Sequence, residues 1–332
     1  MSLCDRKRSH FAFDFDNWFA ALSSSGVTWP ATLIPLTPDQ VKALVHHYGV
    51  RFLGRKASTL TPVDATHLLE IVAKVQAELG HGRVFVRMSN RSPKDGCIAS
   101  SCSVEWSAIR RAHGNDANGA LVEILRLQMC SLACRSADDV MALLLSSERV
   151  YRDNIEALNC AEEAGDVWRT SIVLRPWISL RECDEWRVFV CNRRVTAISQ
   201  YCHLAMFAEL QSVDLALLAE RIREWVEHSV MPALSPRDYD SAVVDVALLG
   251  ETIKVIEINP FDSATGPALF CWKKDAALLH ETLHETARIE HVPIRIVRQV
   301  DQAHAASVVE ALIANEEIVA AELSAHWRTL ID

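Results

Sequence analysis

Val243-Val244-Asp245-Val246 and, beyond a turn at Gly250-Glu251, Val255-Ile256-Glu257-Ile258-Asn259-Pro260-Phe261 are the stretches on which the reading of this chain turns. Both are rich in β-branched residues and read as neighbouring strands, Ala242 to Leu248 and Ile253 to Ile258. A carboxylate set among apolar strand residues, as Asp245 is, is expensive unless something pairs with it. Glu257 and Asn259 lie two apart, so their side chains share one face of their strand. If the two strands pair through the turn, Asp245 faces Glu257. Two carboxylates and an amide oxygen converging on one point make a hard oxygen site, of the kind magnesium shares with nucleotide phosphates. Asp245, Glu257 and Asn259 are therefore candidate metal ligands. The competing reading gives Asp245 a buried hydrogen bond and Glu257 an arginine partner, and spacing does not separate the two.

Signals for the other elements are local. Thr37-Pro38-Asp39-Gln40 is a capping box with proline at the first helical position, and Gly49 is expected to close that helix. Thr61-Pro62-Val63-Asp64 starts a second helix, whose stripe of Leu68, Leu69, Val72 and Val75 runs on to Gly80. Arg83 to Met88 reads as a buried strand. Ser136 caps a helix with Asp139 at its third position. Ser171 to Leu174, Trp186 to Val190 and Val195 to Ser199 read as strands, the last two joined by a tight hairpin at Asn192-Arg193-Arg194. Helix signals return from Asp214 to Val230, and an alanine-rich helical tail runs from Gln302 to Arg328. Helices and antiparallel hairpins without regular βαβ alternation predict an α+β fold. The polar stretch from Glu162 to Thr170 divides an N-terminal lobe, 1–165, from a strand-dense C-terminal lobe, 166–300, that carries the metal site; 301–332 forms the tail.

Three arginines sit in or beside strands: Arg87, Arg175 and Arg187. An interior arginine cannot shed its charge and must meet a carboxylate or a phosphate. Beside an acidic clamp, the three could bracket a polyphosphate, or each could form a structural salt bridge. Ser92-Pro93-Lys94-Asp95-Gly96 reads as an ordinary turn. No P-loop and no G-x-G-x-x-G occurs.

Half of the 332 residues are hydrophobic, enough for one large core or two smaller ones. A formal net charge of −9 and a pI of 5.8 argue against broad nucleic-acid binding. No long apolar run predicts a membrane span, and Asp5, Arg6, Lys7 and Arg8 do not make a signal-peptide core. The expected location is cytoplasmic. Ten cysteines are scattered without a C-x-x-C, and read as small buried apolar residues of a reducing compartment. His280-Glu281-Thr282-Leu283-His284 matches the H-E-x-x-H of zinc proteases, with Glu310 or Glu316 as a conceivable third ligand. Ala287 and Glu290 break the extended form of that motif, and a solvated helical face is the competing reading.

Several segments, taken in order, resemble the cell division cycle protein 123 family. They are Asp16-Asn17-Trp18-Phe19, Thr32-Leu33-Ile34-Pro35-Leu36, the strand at Phe85 with Ser92-Pro93-Lys94-Asp95, and Asp139-Val140 through Leu145-Ser146-Ser147. Val173-Leu174-Arg175-Pro176-Trp177, Glu185-Trp186-Arg187-Val188-Phe189-Val190 and Ala197-Ile198-Ser199-Gln200 follow. Ile256 to Phe261 and Leu269-Phe270-Cys271-Trp272 complete the set, which spans residues 10–275.

The resemblance implies an ATP-grasp-like fold with two lobes and nucleotide bound between them. It implies ATP and Mg2+ as ligands, with Asp245, Glu257 and Asn259 on the metal. Arg175, Pro176, Trp177 and Ile178 would form the hinge beside adenine, Glu185 would meet the ribose and Arg187 the phosphates. Arg87 takes the place of a nucleotide-binding lysine. The implied role is assembly of the heterotrimeric translation initiation factor two through its gamma subunit, a chaperone role linked to the cell cycle. A ligase that activates a carboxylate or a terminal phosphate is the alternative, and a zinc protease through His280, Glu281 and His284 a third. Departures from the family pattern are Arg87 for lysine, Gly96 for alanine, Glu257 for aspartate, and a short basic stretch after Gly49 in place of an acidic insertion.

Overall fold

Three capping boxes form where the sequence places them. Thr37, Thr61 and Ser136 each accept the amide three residues on, while Gln40, Asp64 and Asp139 reach back to the cap amide. The computed structural model describes residues 10–98, 106–164, 169–280, 291–322 and 327–331. In chain order its first elements are α1 (Phe15–Ser24), β1 (Thr32–Leu36), α2 (Pro38–Phe52), α3 (Pro62–Glu78) and β2 (Val84–Met88). Then come α4 (Trp106–His113), α5 (Ala117–Cys130), β3 (Ala133–Cys134), α6 (Ala137–Ser146), α7 (Glu148–Ala164) and β4 (Thr170–Pro176). The remainder is β5 (Glu185–Cys191), β6 (Arg194–Gln200), α8 (Leu215–Trp225), β7 (Ala242–Leu249), β8 (Thr252–Asn259), α9 (Ala276–Leu279), β9 (Ile294–Arg295) and α10 (Gln302–Glu322). No helix among the described residues is long and apolar enough to cross a membrane.

One helix end differs from expectation. Helix α2 runs through Gly49 to Phe52. The Gly49 carbonyl takes the amides of both Leu53 and Arg55, and the left-handed residue that ends the turn is Gly54, at φ 64°. The hairpin is as expected: Asn192 and Arg193 both have positive φ, 50° and 63°, the backbone of a type I′ turn.

The strands form two mixed α+β layers. A four-stranded sheet has the order β1-β4-β2-β3 and a five-stranded sheet the order β8-β7-β5-β6-β9. The chain crosses from one to the other between β4 and β5, through residues 177–184. Ile34, Val86, Met88, Ile172 and Leu174 of the first sheet pack with α2, α3 and α6. Val188, Ile198, Val244, Val246, Val255 and Ile258 of the second pack with α1, α5, α8 and α10. Period-2 alternation then turns the other face of β5, β7 and β8 away from that core, and the polar residues of these strands lie there.

The C-terminal segment joins both cores. Ala305, Val309 and Ile313 of α10 lie in the second core, while Trp327 is buried in the first. Buried His47 of α2 donates from Nε2 to the Trp327 carbonyl at 3.1 Å, which leaves Nδ1 unprotonated and without a partner. Burial, with nearby Arg51, pulls this imidazole down from 6.5 to about 4. The folded protein therefore binds fewer protons here than the unfolded chain, so this stability is whole above pH 6.5 and is lost as pH falls through 4. Urea titrations from pH 7 to 4 are expected to show a loss of up to about 3 kcal/mol from this group, and His47→Gln is expected to flatten that slope.

Candidate functional site

Cross-strand register lines up the polar row. On β5, β6, β7 and β8, Ser199 stands opposite Arg187, Arg187 opposite Asp245, and Asp245 opposite Glu257. Partners in register point to one side of a sheet, so the four share a face. Asp245 is 1% exposed. It accepts two hydrogen bonds of 2.8 Å from Nε and Nη2 of Arg187, and a third of 3.1 Å from Nδ2 of Asn259. Glu257 is held by Arg87 of the facing sheet, Nη2 to Oε1 at 2.6 Å. Asp245 does face Glu257, and both carboxylates have arginine partners.

Arg175 differs from these two arginines. Between Asp245 and Val246 the β7–β8 register slips, which leaves Ile256 unpaired in the ladder. Its free carbonyl takes Nη1 of Arg175 at 2.8 Å, while Nη2 bonds to Thr28 Oγ1 at 3.0 Å. The guanidinium lies 5.5 Å from the Phe15 ring centroid and 5.3 Å from that of Trp29. With no carboxylate in direct contact, burial and then Arg87 lower it to about 10, against the pull of Glu257. Arg175 thus rivets the end of β4 to the bulge in β8.

Two joined cavities lie between the sheets. An apolar recess of about 100 Å³ is walled by Trp29, Phe85, Met129, Pro176, Trp177 and Ile178. A polar cavity of about 370 Å³ is lined by Glu257, Asn259 and Arg187 and runs on to Asp14, Asn90 and Asp153. Ser92, Lys94 and Glu257 line both. Glu185 lines the apolar part.

Lys94 is the residue that sequence reasoning missed. Its Nζ lies 2.8 Å from the Tyr201 hydroxyl and 4.8 Å from that ring's centroid, and Arg187 stacks on the same ring at 4.9 Å. The apparent turn at Ser92–Gly96 is a built loop. Asp95 accepts from Ser147 Oγ and the Arg149 amide at the start of α7, and a Cβ at Gly96 would come within 2.4 Å of the Leu143 carbonyl oxygen. Nothing within the pentapeptide signals that contact. Its one hint is a lysine between proline and aspartate.

The zinc motif begins at His280 and continues into residues outside the described ones. Glu310 is taken by Arg110 at 3.0 Å. No group of three or more His, Cys, Asp or Glu among the described residues is placed to hold a metal. Of the cysteines there, Cys134, Cys160, Cys183 and Cys191 are buried.

Comparison with known proteins follows the same geometry. The model of the D123 family matches residues 125–322. This chain belongs to the D123 family. Among its relatives, cell division cycle protein 123 of Eremothecium gossypii is 31% identical over 295 residues, 78% of this chain and 73% of that protein. A protein of Sclerotinia sclerotiorum named translation initiation factor eIF2 assembly protein is 29% identical over 325 residues, 90% of this chain and 72% of its own. One of the same name from Candida albicans is 29% identical over 234 residues, and this chain spans 57% of it. The structure of Cdc123 from Schizosaccharomyces pombe superposes with a TM-score of 0.58 at 19% identity, over 88% of this chain and 98% of that one. The mixed α+β architecture with two sheets is therefore one this D123 chain shares with a solved structure.

Electrostatics of the D123 cleft follow from how its charges are packed. Burial pushes the Glu185 carboxyl up to about 7, with Lys94 opposing and Asp245 adding to the rise. Burial also works against charge on Lys94, but the Tyr201 oxygen and Glu185 outweigh it and raise the ammonium above its ordinary value. On Glu257, burial is outweighed by Arg87, Lys94 and Arg187, which bring it down to about 2. Lys94 and Arg187 thus stay cationic near a carboxylate that stays ionised and is paired with Arg87.

Proposed function

We propose that this D123 protein is an ATP-grasp-like, cytoplasmic assembly factor that binds ATP with magnesium between its two sheets. Its partner is the heterotrimeric translation initiation factor two, engaged through the gamma subunit. The observation that carries the nucleotide reading is the row Arg187–Asp245–Glu257, with Asn259 beside it, facing Arg87 and Lys94 next to an apolar recess. In this reading the recess takes adenine against the hinge at Arg175 to Ile178, and Glu185 meets the ribose. Arg87, Lys94 and Arg187 take the phosphates. The partner reading is supported by relatives named for eIF2 assembly.

The donor set fits magnesium: two carboxylates and an amide oxygen, with nucleotide phosphates to complete the shell. Magnesium, when bound by Asp245, Glu257 and Asn259, would neutralise phosphate charge. Those carboxylates now neutralise Arg87 and Arg187. The arginines can leave them for phosphate oxygens only if the carboxylates gain another cation, so metal and nucleotide are expected to bind as a pair. Calorimetry should show ATP affinity falling at least about 10-fold when magnesium is withheld, the loss of one charge-assisted contact. Equal affinity with and without the metal would contradict the assignment. Retention of the gamma subunit on the immobilised protein in the presence of a non-hydrolysable ATP analogue tests the partner.

The larger cavity continues beyond Asn259 to Asp14 and Arg91, which leaves room for an acceptor and favours a ligase as the second reading. Release of ADP or AMP that depends on an added acceptor would decide for it.

A further inference from the structure

The far end of the polar cavity, away from the apolar recess, holds carboxylates and cations together. Arg91 Nε donates to Asp153 Oδ2 at 2.6 Å and His10 Nε2 meets Asp262 Oδ2 at 2.7 Å, while Arg149 also lines the cavity. Asp14 is not matched. It is 8% exposed and lines the cavity, and its carboxylate has no hydrogen bond or ion pair among the described residues. Its place in the chain makes this pointed. Asp14 is the N-cap of α1, where aspartate ordinarily accepts a bond from the first amides of the helix, and it makes no such bond. Two neighbouring oxygens are in the same condition: Asn90 Oδ1, on a residue that also lines the cavity, and Asp16 Oδ1 are buried with no partner. Asp16 turns its other oxygen to Ser89 at the end of β2, whose carbonyl accepts the Phe15 amide, so α1 and β2 hold these groups together.

Acceptors on two carboxylates that no described cation neutralises call for a ligand that brings both charge and donors. A metal ion fits less well, because no phosphate is at hand here to complete its shell and no three His, Cys, Asp or Glu side chains among the described residues converge. An ammonium group brings one positive charge and three donors in a small volume. We propose that this end of the cleft binds a primary ammonium group, with Asp14 as its counter-ion and Asn90 Oδ1 as a second acceptor. The ammonium is supplied either by a lysine side chain of a polypeptide or by a small free amine. Burial, together with Asp16 and Asp153, pushes the Asp14 carboxyl up to about 7 against the pull of Arg87, and a bound ammonium would draw it back down. The site goes beyond the nucleotide reading and stands without it, since no described residue pairs with Asp14 whether or not ATP binds nearby.

The test uses the full chain without nucleotide and two probes, Nα-acetyl-lysine methylamide and n-butylamine. Nε-acetylated lysine and n-butanol are their uncharged counterparts. Binding is followed by NMR titration, with the carboxyl carbon of Asp14 as reporter. The charged probes should bind in the millimolar range and lower the Asp14 titration midpoint. Asp14→Asn should weaken them by about 10- to 100-fold, the range for a charge-assisted hydrogen bond. Asn90→Ala should weaken them by a smaller factor. Asparagine caps helices as well as aspartate does, so Asp14→Asn keeps the start of α1. Binding of the lysine probe alone assigns a polypeptide source, and binding of both probes a general amine site. Equal binding of charged and uncharged probes, binding unchanged in Asp14→Asn, or no binding of either charged probe would overturn the proposal. Failure of ATP to bind the wild type would sink the nucleotide reading and leave this result standing.

Discussion

Asp245→Asn is expected to destabilise the protein by about 3 kcal/mol and to abolish measurable magnesium-dependent ATP binding. The reason lies in the partner left behind. Asp245 is 1% exposed and neutralises Arg187, which cannot release its proton and whose side chain is 11% exposed. Asparagine keeps one acceptor oxygen for Arg187 and for Asn259, which places the cost near the lower end of what a broken buried pair shows. The companion variant separates stability from binding. Asp245→Leu combined with Arg187→Met removes both charges, and should recover most of the lost stability in urea titrations while ATP binding stays absent. If Asp245→Asn binds magnesium and ATP as the wild type does, Asp245 is not a metal ligand.

Lys94→Met is expected to behave in the opposite way, with little loss of stability and a large loss of affinity. Its removal takes from buried Glu185 the stronger of the two cationic influences on it, leaving Arg187. A carboxyl already raised to about 7 relieves that by taking up a proton, an exit that Arg187 does not have. The folded variant then holds a proton that the unfolded chain releases near the ordinary carboxylate value of 4.5, so its stability falls as pH rises through and above 7. Below that range the deficit against wild type should stay at about 1.5 kcal/mol, the low end for a hydrogen bond with one charged partner, here from Lys94 to Tyr201. ATP affinity should drop about 10- to 100-fold, the value of a desolvated charge-assisted contact to phosphate. Lys94→Met with wild-type affinity would remove Lys94 from the phosphate site.

The parts of the fold legible in the sequence are those decided within a few residues. The capping box at Thr37, the helix starts at Thr61 and Ser136, the hairpin at Asn192-Arg193 and the turn at Gly250 are local chemistry, and each forms as read. Strand alternation also placed Asp245 opposite Glu257, because period two leaves little choice once the turn is known. The end of α2 is not legible, because a glycine inside a helix and a glycine that ends one differ only in φ, which Gly49 and Gly54 do not announce.

What the sequence hid is long-range. Lys94 reaches the cleft because Tyr201, 107 residues on, receives it, and because Gly96 lets the loop lie against Leu143. Asp14 looks like a helix cap, and its missing cap bond is visible only once α1 is placed against the cavity. From sequence, Arg175 reads like Arg87 and Arg187, as a charge that meets either a phosphate or a salt-bridge carboxylate. The bulge that frees the Ile256 carbonyl gives it a neutral role instead.

The most direct test of the central claim is a crystal structure of the full chain soaked with magnesium and a non-hydrolysable ATP analogue. The account predicts adenine in the recess beside Pro176, Trp177 and Ile178, and phosphates on Arg87, Lys94 and Arg187. Magnesium should lie about 2.1 Å from oxygens of Asp245, Glu257 and Asn259, with the two arginines released from their carboxylates. Triphosphate bound elsewhere, or bound here with both arginine–carboxylate pairs intact and no metal contact from these three residues, would contradict it.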